Sequence, residues 1–199
     1  MRVLMVYATK NGSTQQVAEA IAVALREVGV QVTVLPARTV RESAAGYDLI
    51  VVGAALYSGR WHRDAHRFLK RHRRELAALP VAVFGMGPRN DTEEAWRRSR
   101  AQLDQALARR EWLAPVAVTV FGGVDPPGRG KRLQRDLRDW RAIHAWATDV
   151  LTTAAQGSAG HHRGVADGRA GTRVLPWPPR ARPSGGRRAD ARPSPQEMS

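Results

Sequence analysis

A three-layer α/β fold, with helices on both faces of a five-stranded parallel sheet of order 2-1-3-4-5, is the class this sequence predicts. Three observations predict it. Strand-like apolar runs alternate with helical periodicity up to about residue 153. The second run alternates polar and apolar residues, as at a sheet edge, whereas the third and fourth are continuously apolar, as in strands covered on both faces. Right-handed crossovers then leave few arrangements, and an edge-like second strand selects this one, with a ligand crevice beside strand one.

Taken in order, Val3–Ala8 is the first strand, and Gln16–Val28 is an amphipathic helix with Val17, Ile21, Ala24 and Val28 on one face. Gly29 stands just past its end, the usual place for a helix-terminating glycine. Gln31–Pro36 is the alternating edge strand, and Leu49–Ala54 the central one. Asp64–Ala77 reads as one very basic helix held by Phe68, Leu69, Leu76 and Ala77. Val81–Gly85 is the next buried strand. Asp91 or Thr92 caps a helix to about Ala108, with Glu93 and Glu94 at its positive end. Val116–Phe121 is the fifth strand. The last helix spans Asp139–Thr153 with Trp140, Ile143, Ala147, Val150 and Leu151 inward. Residues 154–199 are rich in Gly, Pro, Arg, Ser and Ala and are expected to form a disordered tail after the 1–153 domain.

The absence of cysteine excludes disulfides, thiolate-bound metals and thiol catalysis. No apolar run approaches the ~20 residues of a membrane span, and the N-terminus enters a strand directly, so a cytoplasmic location is expected. Net charge is +14, of which residues 1–155 carry +9. All but three of the 32 basic residues are arginine, the exceptions being Lys10, Lys70 and Lys131. Such lopsidedness points to compositional bias, so no specific nucleic-acid partner is expected, while peripheral contact with a membrane stays open.

The first strand runs through Thr9-Lys10-Asn11-Gly12-Ser13-Thr14 into a helix. Free N–H groups at a helix start, the helix dipole, three hydroxyls and a glycine that permits close approach make a phosphate-holding turn. Capping of the helix by Ser13 or Thr14 is the other reading. Two further loops open at the same sheet edge. Gly53–Trp61 brings Tyr57 and Trp61, whose rings suit stacking on a flat heteroaromatic partner. Gly85–Asp91 has two glycines that would let backbone approach a ligand. His62 and His66 are four apart, but among Arg63, Arg67 and Arg71 they read as solvated helix residues, not a metal site. No triphosphatase phosphate loop, dinucleotide fingerprint, receiver-type acidic cluster or nucleophile elbow occurs.

Residues Thr9–Thr14 resemble the Thr/Ser-x-Thr-Gly-x-Thr phosphate loop of flavodoxins, with Asn11 at a position usually held by a hydroxyl. Gly53–Trp61 is similar to the second loop of the flavodoxin-domain branch that includes menaquinone-dependent protoporphyrinogen oxidase. Phe121-Gly122-Gly123-Val124-Asp125-Pro126 and Asp139-Trp140-x-Ala142-Ile143 resemble later motifs of that branch, which has a longer insertion than Pro126–Leu137 between them. The resemblance implies a flavodoxin-like three-layer sandwich binding FMN noncovalently. Carried over by position, Thr9, Lys10, Asn11, Gly12, Ser13 and Thr14 would cradle the phosphate. Ala55, Leu56, Tyr57, Ser58 and Gly59 would border the isoalloxazine ring. Gly85, Met86, Gly87 and Pro88 would close its other side, with Asp91 nearby. Partners would be a redox protein or a small electron donor or acceptor. The alternative is a cofactor-free module of the same fold whose basic helix, with Arg67, Lys70, Arg71, Arg73 and Arg74, binds acidic protein or nucleic acid.

Overall fold

Side-chain alternation along the first strand decides the layers. Leu4, Val6 and Ala8 enter one apolar core, while Val3 and Met5 enter the other. The computed structural model describes residues 1–57, 60–125 and 134–161. In chain order it contains β1 (Arg2–Ala8), α1 (Ser13–Glu27), β2 (Gln31–Pro36), β3 (Leu49–Tyr57), β4 (Arg60–Trp61), α2 (Arg63–Arg71), α3 (Arg73–Leu76), β5 (Val81–Met86), α4 (Glu93–Ala108), β6 (Ala117–Phe121) and α5 (Trp140–His161).

The long strands lie in the order β2-β1-β3-β5-β6, all neighbours parallel. This is the predicted order once β4, a two-residue strand antiparallel to the end of β3, is set aside. The sheet therefore has six strands instead of five. α2, α3 and α4 cover one face, α1 and α5 the other. Ile50, Val52 and Ala54 of β3 point into the first core and Leu49 and Val51 into the second, which is why that segment is apolar throughout.

Several elements differ from the expectation. The segment from Gly53 to Trp61 is not an exposed loop: β3 continues to Tyr57, and β4 turns back on it through the pairs Leu56–Trp61 and Tyr57–Arg60. The basic helix is broken at His72, whose buried ring lies 3.3 Å from Glu75 Oε2 and 3.4 Å from the Val40 carbonyl. An imidazole held from two sides on the inner face ends α2 and restarts the chain as α3. Trp140 is exposed, under the Arg138 guanidinium, and Trp146 takes the inward position, packed edge-on against Phe84 and Phe121. Asp139 Oδ1 accepts from the Ala142 N–H at the start of α5. That helix runs on to His161, so residues 154–161, assigned above to the tail, are helical, and Ala154 is buried in the second core. Residues 162–199, and with them the rest of the predicted tail, lie outside the described residues.

Gly53 is fixed by close approach. A Cβ there would sit 1.9 Å from Phe84 Cζ, and that ring is itself wedged against Phe121 and Trp146. Gly53→Ala is expected to destabilise the fold by about 1–3 kcal/mol through overpacking. Urea denaturation checks this, and adding Phe84→Leu to the Gly53→Ala variant should recover part of the loss.

Candidate functional site

The carboxyl ends of β1, β3 and β5 meet at one sheet edge, where the turn from β1 to α1 is the most structured feature. Gly12 has φ +86°, a left-handed conformation that glycine adopts at little cost, and it turns the chain into the helix. Thr9 Oγ1 accepts from the Gly12 N–H at 3.0 Å, bracing the turn from within. No side chain caps α1, so the reading in which Ser13 or Thr14 serves as its cap does not hold. The first-turn N–H groups have no helical acceptor, and no acidic residue stands in that turn. Ser13 is 8 % exposed and Thr14 fully buried. Among the described residues, Thr14 Oγ1 has no hydrogen-bond partner. A buried hydroxyl left unmade costs about 1–3 kcal/mol, and a phosphate oxygen at the helix start is the group that would satisfy it. The residues present therefore fit the FMN phosphate.

Tyr57, at the end of β3, reaches this turn: Asn11 Nδ2 lies 3.5 Å from its hydroxyl. Burial raises the Tyr57 phenol above its ordinary pKa, while the Lys10 backbone and the charge of Arg89 pull the other way. Three segments thus converge: the turn at 9–14, Tyr57, and Arg89 from the segment after β5. Arg89 was not singled out in the sequence, since it is one exposed arginine among many. His62 packs beside Tyr57 with ring centroids 6.5 Å apart, and its Nδ1 accepts from the Asp64 N–H as the cap of α2.

Other predicted site residues are placed differently. Ala55 is buried in β3, and Leu56 is half-buried. Ser58 and Gly59 lie outside the described residues. Trp61 is 2 % exposed, with its indole N–H donating to the Ala54 carbonyl, so it supports the hairpin from beneath and offers no ring for stacking. Gly85 and Met86 belong to β5 and are buried. Gly87 is a glycine because its own protein crowds it: its N–H donates to Phe121 O, and a Cβ would meet Val120 Cγ1 at 2.4 Å. Pro88 is buried, and its carbonyl accepts from Gly123 N. The Asp91 carboxylate accepts from the Trp96 indole at 2.7 Å.

Beneath the hairpin lies a contact without a local sequence signal. Arg110, after α4, donates through Nη2 to His66 Nδ1 at 2.7 Å, and the His66 ring stands edge-on to Trp61 at 5.7 Å. Burial first, then the positive charges of Arg110 and Arg109, hold the His66 imidazole below its ordinary pKa. With His62 Nδ1 taken by Asp64 and His66 Nδ1 by Arg110, neither presents that nitrogen to a metal. No group of three or more metal-type ligands occurs among the described residues. Arg138, before α5, bonds both Asp136 and Gln16 of α1, which ties the last segment to the phosphate turn.

Comparison with known proteins gives the family and the fold. The family model described as flavodoxin domain matches residues 4–128, more than half of the chain, and the chain belongs to that family. FMN is accordingly its cofactor, in a role of electron transfer or flavin-dependent oxidoreduction. It is 30% identical over 129 residues to protoporphyrinogen IX dehydrogenase [quinone] of Escherichia coli K12, covering 64% of this chain and 71% of that protein. Among solved structures, flavodoxin 1 of Bacillus cereus superposes with a TM-score of 0.54 at 19% identity, over 76% of this chain and 98% of its own. The Streptococcus pneumoniae TIGR4 flavodoxin gives 0.52 at 19%, over 76% and 99%. These two share the fold.

A folded-state imidazole with a depressed pKa binds fewer protons than the unfolded chain just below pH ~6.5, so its contribution to stability is present above that pH and lost as pH falls. Urea denaturation at pH 7.5 and 5.5 is expected to show a smaller acid-side loss for His66→Gln than for the parent protein. Equal losses would remove His66 from the account.

Proposed function

We propose that the turn from Thr9 to Thr14 holds the FMN phosphate, that Tyr57 borders the isoalloxazine ring, and that the protein works as a flavin-dependent oxidoreductase with a quinone-type acceptor. FMN, when bound, supplies the electron chemistry. The chain supplies position. Its first-turn N–H groups, the Thr14 hydroxyl and the helix dipole bind the phosphate. Ser13 and the Thr9 hydroxyl proton add donors at the same turn. Tyr57 gives an aromatic flank, and Lys10 and Arg89 make the rim positive. Ala55, Leu56, Gly85, Met86, Gly87 and Pro88 act from behind, by shaping the strand ends and the segment that carries Arg89. Asp91 acts on Trp96.

The single observation that carries this reading is the buried, partnerless hydroxyl of Thr14 beside an uncapped helix start. A cofactor-free interaction module would leave that hydroxyl unsatisfied without return. The acceptor class rests on the Escherichia coli relative, whose name specifies a quinone.

Titration with FMN is expected to quench flavin fluorescence at one site per chain, with riboflavin binding far more weakly because it lacks the phosphate. Thr14→Val removes the hydroxyl at nearly constant volume and should weaken FMN binding on the order of 10-fold while leaving thermal stability of the flavin-free protein unchanged or raised. No quenching by FMN, or equal affinity for riboflavin, would contradict the proposal.

A further inference from the structure

The basic helix pair α2–α3 is not used by the flavin reading, and its charges are arranged with a pattern of their own. Seven cations and only two carboxylates occur between Arg60 and Leu76. Arg63, Arg67, Lys70, Arg71 and Arg74 follow helical spacing along one exposed side, while Ala65, Phe68, Leu69, His72 and Leu76 are buried on the other. The break at His72 does not interrupt the stripe. On the opposite face α1 carries one cation, Arg26, against Glu19 and Glu27, and α5 carries Arg141 against Asp149, so neither helix has a comparable excess.

What distinguishes the stripe from other arginine-rich surface is that its charges from Lys70 onward are not neutralised. On α4, Arg97, Arg98 and Arg100 each have a carboxylate one turn away, at 3.9, 2.6 and 2.9 Å. On α2, Asp64 lies beside Arg63 and Arg67 at 3.7 and 3.5 Å. Glu75 is turned inward, accepting from the Ala44 N–H at 2.6 Å and lying 3.3 Å from His72. Among the described residues, Lys70, Arg71, Arg73 and Arg74 have no carboxylate within 4.0 Å. They line a depression of about 390 Å³ at the helix break. A cluster of uncompensated like charges favours a multivalent anion.

We propose that the α2–α3 stripe docks the protein on the phosphate headgroups of an anionic lipid bilayer. The chemistry of the stripe selects this occupant. A specific protein interface needs apolar or aromatic anchors at its desolvated centre, and no large apolar side chain of α2–α3 is exposed. A bilayer surface needs none, because its field acts on each cation near it. The helix pair has its apolar side committed to the protein core, so it rests on the headgroups and does not insert, and the attachment is reversible by salt. Docking there also suits the site: α2 begins at the cap residue His62, which packs on Tyr57. The choice of a bilayer rests on the quinone-type acceptor proposed above, since quinones with apolar tails partition into membranes.

Co-sedimentation of the full chain with vesicles of equal parts phosphatidylglycerol and phosphatidylcholine tests this. Strong binding at low salt, release at high salt and no binding to pure phosphatidylcholine are expected. Lys70→Gln/Arg73→Gln/Arg74→Gln, which removes three cations without a carboxylate partner, should lower the partition on the order of 100-fold, about fivefold per cation. Arg97→Gln/Arg98→Gln on α4 should stay within about twofold of the parent, because those charges are already paired. The inference is overturned if the triple variant partitions like the parent, if neutral vesicles bind equally, or if duplex DNA at equal phosphate concentration strips the protein from the vesicles. The readout is sedimented protein, not flavin, so a failure here is distinct from a failure of the FMN titration.

Discussion

An uncapped helix start facing a buried hydroxyl is the constraint on which the site depends. Most helices satisfy their first turn with a side chain of their own. Here Gly12 occupies the cap position, its own N–H is taken by Thr9, and no acidic residue follows in the first turn. The N–H groups of the first turn are left without a helical acceptor, and Thr14 Oγ1 has no partner among the described residues. Such an arrangement costs stability in the empty protein, and in the proposed reading the FMN phosphate returns it. That reading couples binding to folding at this turn, with ligand adding to stability in proportion to the logarithm of its concentration over Kd.

The hairpin made by β3 and β4 places Tyr57 against that turn, and its rigidity comes from below. Trp61 anchors the returning strand through Ala54, His66 stands against Trp61, and Arg110 holds His66. A neutral imidazole accepting from a guanidinium links α2 to the end of α4. Each member acts on the β3–β4 hairpin through another residue. On the opposite flank, Arg138 joins the segment before α5 to Gln16 in the first turn of α1. Arg110 and Arg138 thus both bond inward, in contrast to Lys70 and Arg74 on α2–α3.

The fold was readable because each long strand feeds two cores at once, so a run such as Leu49–Ala54 must be apolar at every position. The turn from β1 into α1 was readable because its signals are local: glycine, hydroxyls and helix start are contiguous from Thr9 to Thr14. What could not be read depends on distant partners. Nothing near Trp61 in the chain shows that it is sealed by α2 and by Ala54 above it. Nor does Gly87 reveal that Val120, thirty-three positions away, demands a hydrogen in place of a side chain. The glycines of the segment after β5 looked available to a ligand and are used by the protein itself. The helix break at His72 escaped for the same reason, since it is set by Val40 and by Glu75 turning inward toward Ala44.

The central claim is that the phosphate of FMN is buried at the turn between β1 and α1, and its own nucleus reports on it most directly. A free phosphomonoester loses its second proton with a pKa of about 6, and its ³¹P resonance moves accordingly. In the complex, the account predicts a resonance whose position does not change between pH 5 and 8 and which externally added Mn²⁺ does not broaden. A resonance that titrates as in free FMN and broadens with Mn²⁺ would contradict it.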